Sequence, residues 1–131
     1  MPVGDAFSDR QREDVARAVR IAEQESGLAF SVFVGSLGED TRSAALALHR
    51  QLGAAAPGST LIAVDPAGRQ LEIVTGRESK RWLDDYACGL GAIAMTTQFT
   101  AGDLAGGIIN GLRTLAEHAR HPKVLHNDEP A

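Results

Sequence analysis

Two apolar runs, LAFSVFV (28–34) and STLIAVD (59–65), bracket a segment with helical spacing, and this arrangement restricts the fold more than any other feature of the 131 residues. The first run is apolar on both alternating faces except at Ser31, the pattern of a strand covered on both sides. Between the runs, Asp40 is placed to N-cap a helix that turns Ala45, Leu48 and Leu52 inward and stops at Gly53. Strand, helix and strand in this order predict a right-handed crossover between parallel strands. A third run, RQLEIVTG (69–76), follows Pro66-Ala67-Gly68, so a tight hairpin adds an antiparallel strand. Its residues alternate, with Gln70, Glu72 and Val74 opposite Leu71, Ile73 and Thr75.

Helices flank these strands. Ser8 and Gln11 have the spacing of a capping box, ahead of a stripe of Val15, Ala18, Val19 and Ala22 that ends at Ser26-Gly27. From Arg77 to Arg120 the pattern is helical, broken at FTAGD, where Asp103 supplies a new N-cap. In the first of these two helices Tyr86, Leu90 and Ile93 form one apolar stripe and Cys88, Ala92, Met95 and Phe99 another, which implies burial on two sides. The last helix turns Ile108, Ile109, Leu112, Leu115 and Ala116 to one face. The order α-β-α-β-β-α-α predicts an α/β fold: a single-domain, three-layer α/β/α sandwich with a small mixed sheet over residues 8–120. Residues 1–7 form an N-terminal extension, and 121–131, with Pro122 and no periodicity, a disordered tail.

Composition narrows the function classes. With 44% hydrophobic and 23% charged residues the chain belongs with globular proteins. A net charge of -4 offers no positive field for phosphate backbones, so nucleic acid is not an expected partner. Nowhere do eighteen apolar residues run together, which argues against membrane insertion. Cys88 has no second cysteine to pair with, and the first residues lack a charged start followed by an apolar stretch; both point to the cytoplasm.

The stretch RESKRWLDDYACGLG (77–91) concentrates the candidate chemistry. Asp84 and Asp85 suit the exposed N–H groups of a helix start, and adjacent carboxylates on a helix point about 100 degrees apart, a poor arrangement for one shared cation. Arg77, Lys80 and Arg81 have the donors to hold a phosphate or carboxylate, but beside two acids they are more simply surface ion pairs. GLGAIA (89–94) matches a dinucleotide fingerprint in spacing only, because no strand precedes it; its glycines and those of AGGIING read as close helix packing. His118 and His121 are a loose pair for metal, His49 belongs at a core boundary, and Cys88 in an apolar helix is a packing residue. Asp40, Asp65 and Asp103 are brought to one sheet edge if the penultimate helix runs back along the sheet, although capping and turn roles account for them locally.

The succession GLAFSVFV, TLIAVDPAGRQLEIVTGRE, LDD and FTAGDLAGGIINGL resembles the TPM domain, most closely an actinobacterial branch of unknown function, over about residues 7 to 120. The resemblance implies an α/β/α sandwich and, in a family of mostly extracytoplasmic or membrane-tethered domains, an accessory or repair role in membrane complexes, with weak acid phosphatase activity or divalent-metal binding in some members. The turn signature of that family, glycine, any residue, glycine, any residue, glutamate, falls on Val74, Thr75, Gly76, Arg77 and Glu78. Val74 replaces the first glycine, and a β-branched side chain there closes the backbone approach a phosphate or metal pocket would use.

Two readings follow. The first is a small soluble binding or accessory interaction domain with a protein partner, no cofactor and no catalysis of its own. The alternative is a weak phosphomonoesterase assisted by calcium or magnesium, with Asp84, Asp85 and Asp103 as metal ligands and Arg77, Glu78 and Arg81 on the bound ligand.

Overall fold

The structure is a computed structural model and describes residues 7–128, with side chains through residue 119. The seven elements come in the expected order: α1 (Asp9–Ser26), β1 (Ala29–Val34), α2 (Thr41–Arg50), β2 (Ser59–Asp65), β3 (Gln70–Thr75), α3 (Asp85–Thr100) and α4 (Leu104–Asp128). The expected tail over 121–131 has no described side chains, and the extension 1–7 lies outside the described residues except for Phe7.

Local signals place the helix starts. Ser8 and Gln11 form the capping box in full, and Gly27, at φ 76°, ends α1 in the left-handed conformation that glycine adopts without strain. Asp40 caps α2 through Ser43 N–H at 3.1 Å. The helix ends at Arg50 rather than at Gly53, and residues Gly53–Gly58 wind into a 3-10 turn around Pro57.

The strands form one sheet in the order β1-β2-β3, β1 parallel to β2 and β2 antiparallel to β3. β2 is therefore the central strand, and every one of its residues is buried. β1, expected to be covered on both sides, is an edge strand with only Phe30 fully buried. Rank in the sheet, which no local pattern encodes, decides this: the central strand is covered on two faces and two edges.

β3 alternates as its sequence predicts. Val74 joins Leu61, Ala63, Leu37 and Ala45 beneath α2, while Leu71 and Ile73 turn to the opposite face. There the sheet packs on α1, α3 and α4 through Phe30, Ile62 and Val64 against Leu83, Met95, Ile108, Leu112 and Leu115. α4 touches both α1 and α3 and lies between them. The result is three layers: α2, the mixed sheet, and the trio of long helices. Glu72 ties the outer layer down, accepting from Thr41 Oγ1 at 2.8 Å and Arg42 at 3.3 Å. No helix among the described residues is long and apolar enough to cross a membrane.

Candidate functional site

The charged lead-in to α3 is built around one carbonyl. Where β3 ends, Gly76 N–H donates to Ser59 O at 2.9 Å, and Ser79 Oγ lies 3.2 Å from both Ser59 O and Gly76 O. His49 Nε2 reaches the same Ser59 oxygen at 3.0 Å, and donates in the tautomer protonated there. Glu78 N–H donates to Pro57 O at 2.8 Å, locking the turn onto the 3-10 segment. A Cβ on Gly76 would run into the carbonyls of Ala56 and Pro57. The space that a pocket on this turn would need is thus filled by the protein's own backbone, and Val74 is buried under α2 instead of facing it.

Arg77, Glu78, Lys80 and Arg81 ring this turn as exposed side chains. The ion pairs expected between these bases and Asp84 or Asp85 are not formed; among the described residues the ion pairs are Arg17–Asp14 and Arg42–Glu72. Long, solvated side chains gain too little from such pairing to be held in one geometry. Helical structure begins later than Arg77, with a 3-10 turn at Ser79–Arg81 and α3 proper from Asp85.

Each aspartate considered as a metal ligand occupies a separate place. Asp84 caps α3 through Ala87 N–H at 2.9 Å, Asp85 lies in its exposed first turn, and Asp103 caps α4 through Gly106 N–H at 2.9 Å. Asp84 and Asp103 stand at opposite ends of the 16-residue α3, roughly 24 Å apart at 1.5 Å per residue. Among the described residues no group of three or more histidine, cysteine, aspartate or glutamate side chains is arranged to hold a metal.

α3 does run back along the sheet, as its length predicts. Its C-terminal end and the β2–β3 hairpin enclose a cleft of about 560 Å³ lined by Asp65, Arg69, Gln70, Thr96, Phe99 and Thr100. Three of its polar side chains, those of Asp65, Thr96 and Thr100, are already engaged. Thr96 and Thr100 hydroxyls donate back to Ala92 O and Thr96 O. Asp65, buried, accepts from Leu37 N–H at 3.0 Å and Gly68 N–H at 2.9 Å. The loop is four residues long rather than three, and Arg69 takes a left-handed φ of 54° to close it.

These bonds, Leu37 first and Gly68 second, hold the Asp65 pKa below its ordinary value of 3.8. A carboxyl with a depressed folded-state pKa stabilises the fold above its unfolded pKa, and that contribution is lost as pH falls through the folded value. Asp65→Asn leaves one amide without an acceptor and is expected to cost about 1–3 kcal/mol at neutral pH. In urea titrations the gap between variant and wild type should begin to close below roughly pH 4 and go on closing as pH falls further. A gap of constant size down to the acid limit would contradict this.

The largest departure from the sequence reading is on α3. Of its two apolar stripes, the one with Met95, Cys88 and Phe99 packs inward. The other is open: Tyr86 is 69% exposed, Ile93 64% and Leu90 36%, with Trp82 at 36% just ahead of the helix. Three layers supply one flank to pack α3 against, so among the described residues the second stripe stays largely uncovered. Gly91, Gly107 and Gly111 do mediate close packing against Leu115, Phe99 and Met95, but Gly89 faces open space. His118 sits beside Tyr86, ring centroids 6.3 Å apart, while His121 lies outside the described side chains. Cys88 is half-buried, and burial followed by the charges of Asp85 and Asp84 pushes its thiol pKa up, as for a packing residue rather than a nucleophile.

A family model described as a domain of unknown function, DUF5130, matches residues 1–116. The chain belongs to this family. The DUF5130 chain is 30% identical over 90 residues to the uncharacterized proteins Rv2468c and MT2543 of Mycobacterium tuberculosis, a match covering 66% of the chain. It spans about half (52%) of the length of these relatives. Its fold is similar to that of the BA42 protein from Bizionia argentinensis, with TM-score 0.76 and 15% identity over 86% of this chain and 81% of the other. It is also similar to the N-terminal domain of a P. gingivalis protein, with TM-score 0.76 and 20% identity over 95% and 83% of the two chains. A third similar structure is the N-terminal domain of the cg2496 protein from Corynebacterium glutamicum, with TM-score 0.72 and 16% identity over 86% and 74%. At these identities the DUF5130 chain shares their fold, an α/β single domain with a small mixed sheet.

Proposed function

We propose that this chain is a TPM-like accessory domain of the cytoplasm that acts by binding a protein partner, without cofactor or chemistry of its own, through the exposed face of α3. One observation carries the reading. Tyr86, Leu90 and Ile93 present an apolar stripe to solvent at helical spacing, and Trp82, just ahead of the helix, is also exposed. Together they leave on the order of 400 Å² of apolar surface, within the range of functional patches on monomers. Tyrosine and tryptophan are also the side chains that most often anchor interfaces.

A second copy of the chain is the less favoured occupant. Two such stripes face to face would bury about 800 Å², short of the roughly 1,200 Å² typical of stable interfaces. A larger partner that extends beyond the stripe meets that requirement. The phosphomonoesterase alternative has no convergence of carboxylates to support it among the described residues.

Tagged wild-type protein and the double variant Tyr86→Ser, Ile93→Ser, offered the native cell extract in parallel, test the reading. The variant is expected to lose the captured species while its unfolding free energy stays within about 0.5 kcal/mol, as for surface changes. Capture of the same species by both proteins would sink the proposal.

A further inference from the structure

Arg69 closes the β2–β3 hairpin at φ 54°, and among the described residues it is the one non-glycine residue with a positive φ. Left-handed backbone crowds a Cβ, so glycine is favoured at such a position and a long side chain is held there at a cost. The loop does contain a glycine, but one position earlier. A Cβ on Gly68 would lie 2.9 Å from Asp65 Oδ2, against the carboxylate that accepts from Gly68 N–H. Arg69 therefore bears the strained conformation itself. Among the described residues no hydrogen bond or ion pair engages its guanidinium in return. Backbone strain of this kind concentrates where a side chain serves a ligand.

Arg69 lines the cleft of about 560 Å³ between the hairpin and the C-terminal end of α3. The volume is that of a small-molecule site, and the cleft lies beside the carboxyl end of β2, the end of an α/β sheet where ligands bind. Val64, Leu71, Phe99 and Leu104 make its walls apolar. Thr96 and Thr100 spend their hydroxyl protons on carbonyls of α3, and Asp65 is an acceptor. Among the described residues of the lining, Arg69 is the one cation.

We propose that this cleft binds a small organic monocarboxylate with an apolar body, the carboxylate gripped by the Arg69 guanidinium and the body laid against Leu71, Phe99 and Leu104. The planar fork of arginine matches a carboxylate with two parallel hydrogen bonds, and the apolar walls select against a bare anion such as acetate. The Asp65 carboxylate in the same lining repels negative charge, so a single charge is accepted and the dianion of a phosphate ester is disfavoured. The site is separate from the exposed apolar stripe of α3, and its test does not bear on the protein partner.

The probe is phenylpropionate, titrated into the 15N-labelled full chain. Saturable amide shifts are expected at Arg69, Leu71, Thr100 and Gly102. Phenylpropionamide keeps the shape and removes the charge, and is expected to bind at least about tenfold more weakly. Phenyl phosphate, mostly a dianion at neutral pH, is expected to bind more weakly as well. Arg69→Gly separates binding from folding: relief of the left-handed backbone is expected to raise the melting temperature, while affinity for phenylpropionate falls at least about tenfold. An arginine with a purely structural role would not give weaker binding in a more stable domain. Equal affinity for the amide, tighter binding of phenyl phosphate, unchanged affinity or a lowered melting temperature in Arg69→Gly, shifts centred on Tyr86 and Ile93 instead, or no saturable shift at millimolar probe would each overturn the proposal.

Discussion

Gly76→Ala is expected to destabilise the domain by about 3–5 kcal/mol, enough to leave much of a marginally stable chain unfolded at room temperature. The cause is not backbone conformation, since Gly76 does not have a positive φ. It is space. The added methyl group points at the carbonyl oxygens of Ala56 and Pro57, which are backbone atoms of the 3-10 turn and have no flexible side chain to swing aside. Relief requires moving β3 away from that turn, and the movement stretches three bonds at once: Gly76 N–H to Ser59 O, Glu78 N–H to Pro57 O, and Ser79 Oγ to Ser59 O. Ser79 is fully buried, so its hydroxyl would be pulled from the Ser59 oxygen in the interior of the protein. Urea denaturation followed by tryptophan fluorescence would measure the loss, with Trp82 as the chain's single tryptophan. A change below about 1 kcal/mol would mean that the turn is looser than these contacts require.

This turn also marks the limit of what the sequence discloses. Signals that act over three or four residues were legible: the caps at Ser8, Asp40, Asp84 and Asp103, the hairpin after Asp65, and the alternation of β3. Each involves a side chain and an amide close enough in sequence to be read in one window. The Ser59 node is assembled from residues 10, 17 and 20 positions away in sequence, at His49, Gly76 and Ser79, and no local pattern records it. The same holds for Asp65, whose acceptor oxygen serves Leu37 28 residues earlier. Which strand is central was likewise hidden, because an apolar run suits an edge over a groove as well as it suits a sheet interior.

For the candidate surfaces the lesson is different. Spacing picks out the residues of the α3 stripe but not their environment. Arg77, Glu78 and Arg81 were picked out by charge, and the structure leaves them solvated around a turn whose interior is full. Charge marks exposure, and apolar periodicity marks contact; where contact among the described residues is missing, the pattern supports the proposed partner.

The α3–α4 seam supplies a second large effect, and its sign reverses at a neighbouring glycine. Gly107→Leu is expected to cost roughly 3 kcal/mol or more, because a side chain there meets the Phe99 ring and, at 2.9 Å from its Cβ, the Met95 carbonyl of the facing helix. α3 must then move off α4, opening the packing of Met95 against Gly111 and of Leu115 against Gly91. Gly89→Ala on the exposed side of α3 meets nothing within 4 Å and removes the entropic penalty of a mid-helix glycine, so it is expected to stabilise by about 0.5–1 kcal/mol. Thermal melts of the two variants should therefore shift in opposite directions from wild type. The pair separates a general intolerance of glycine replacement in these two helices from the specific closeness of the seam. If both variants are destabilised alike, Gly89 is covered in the folded protein, and the open face of α3 with it.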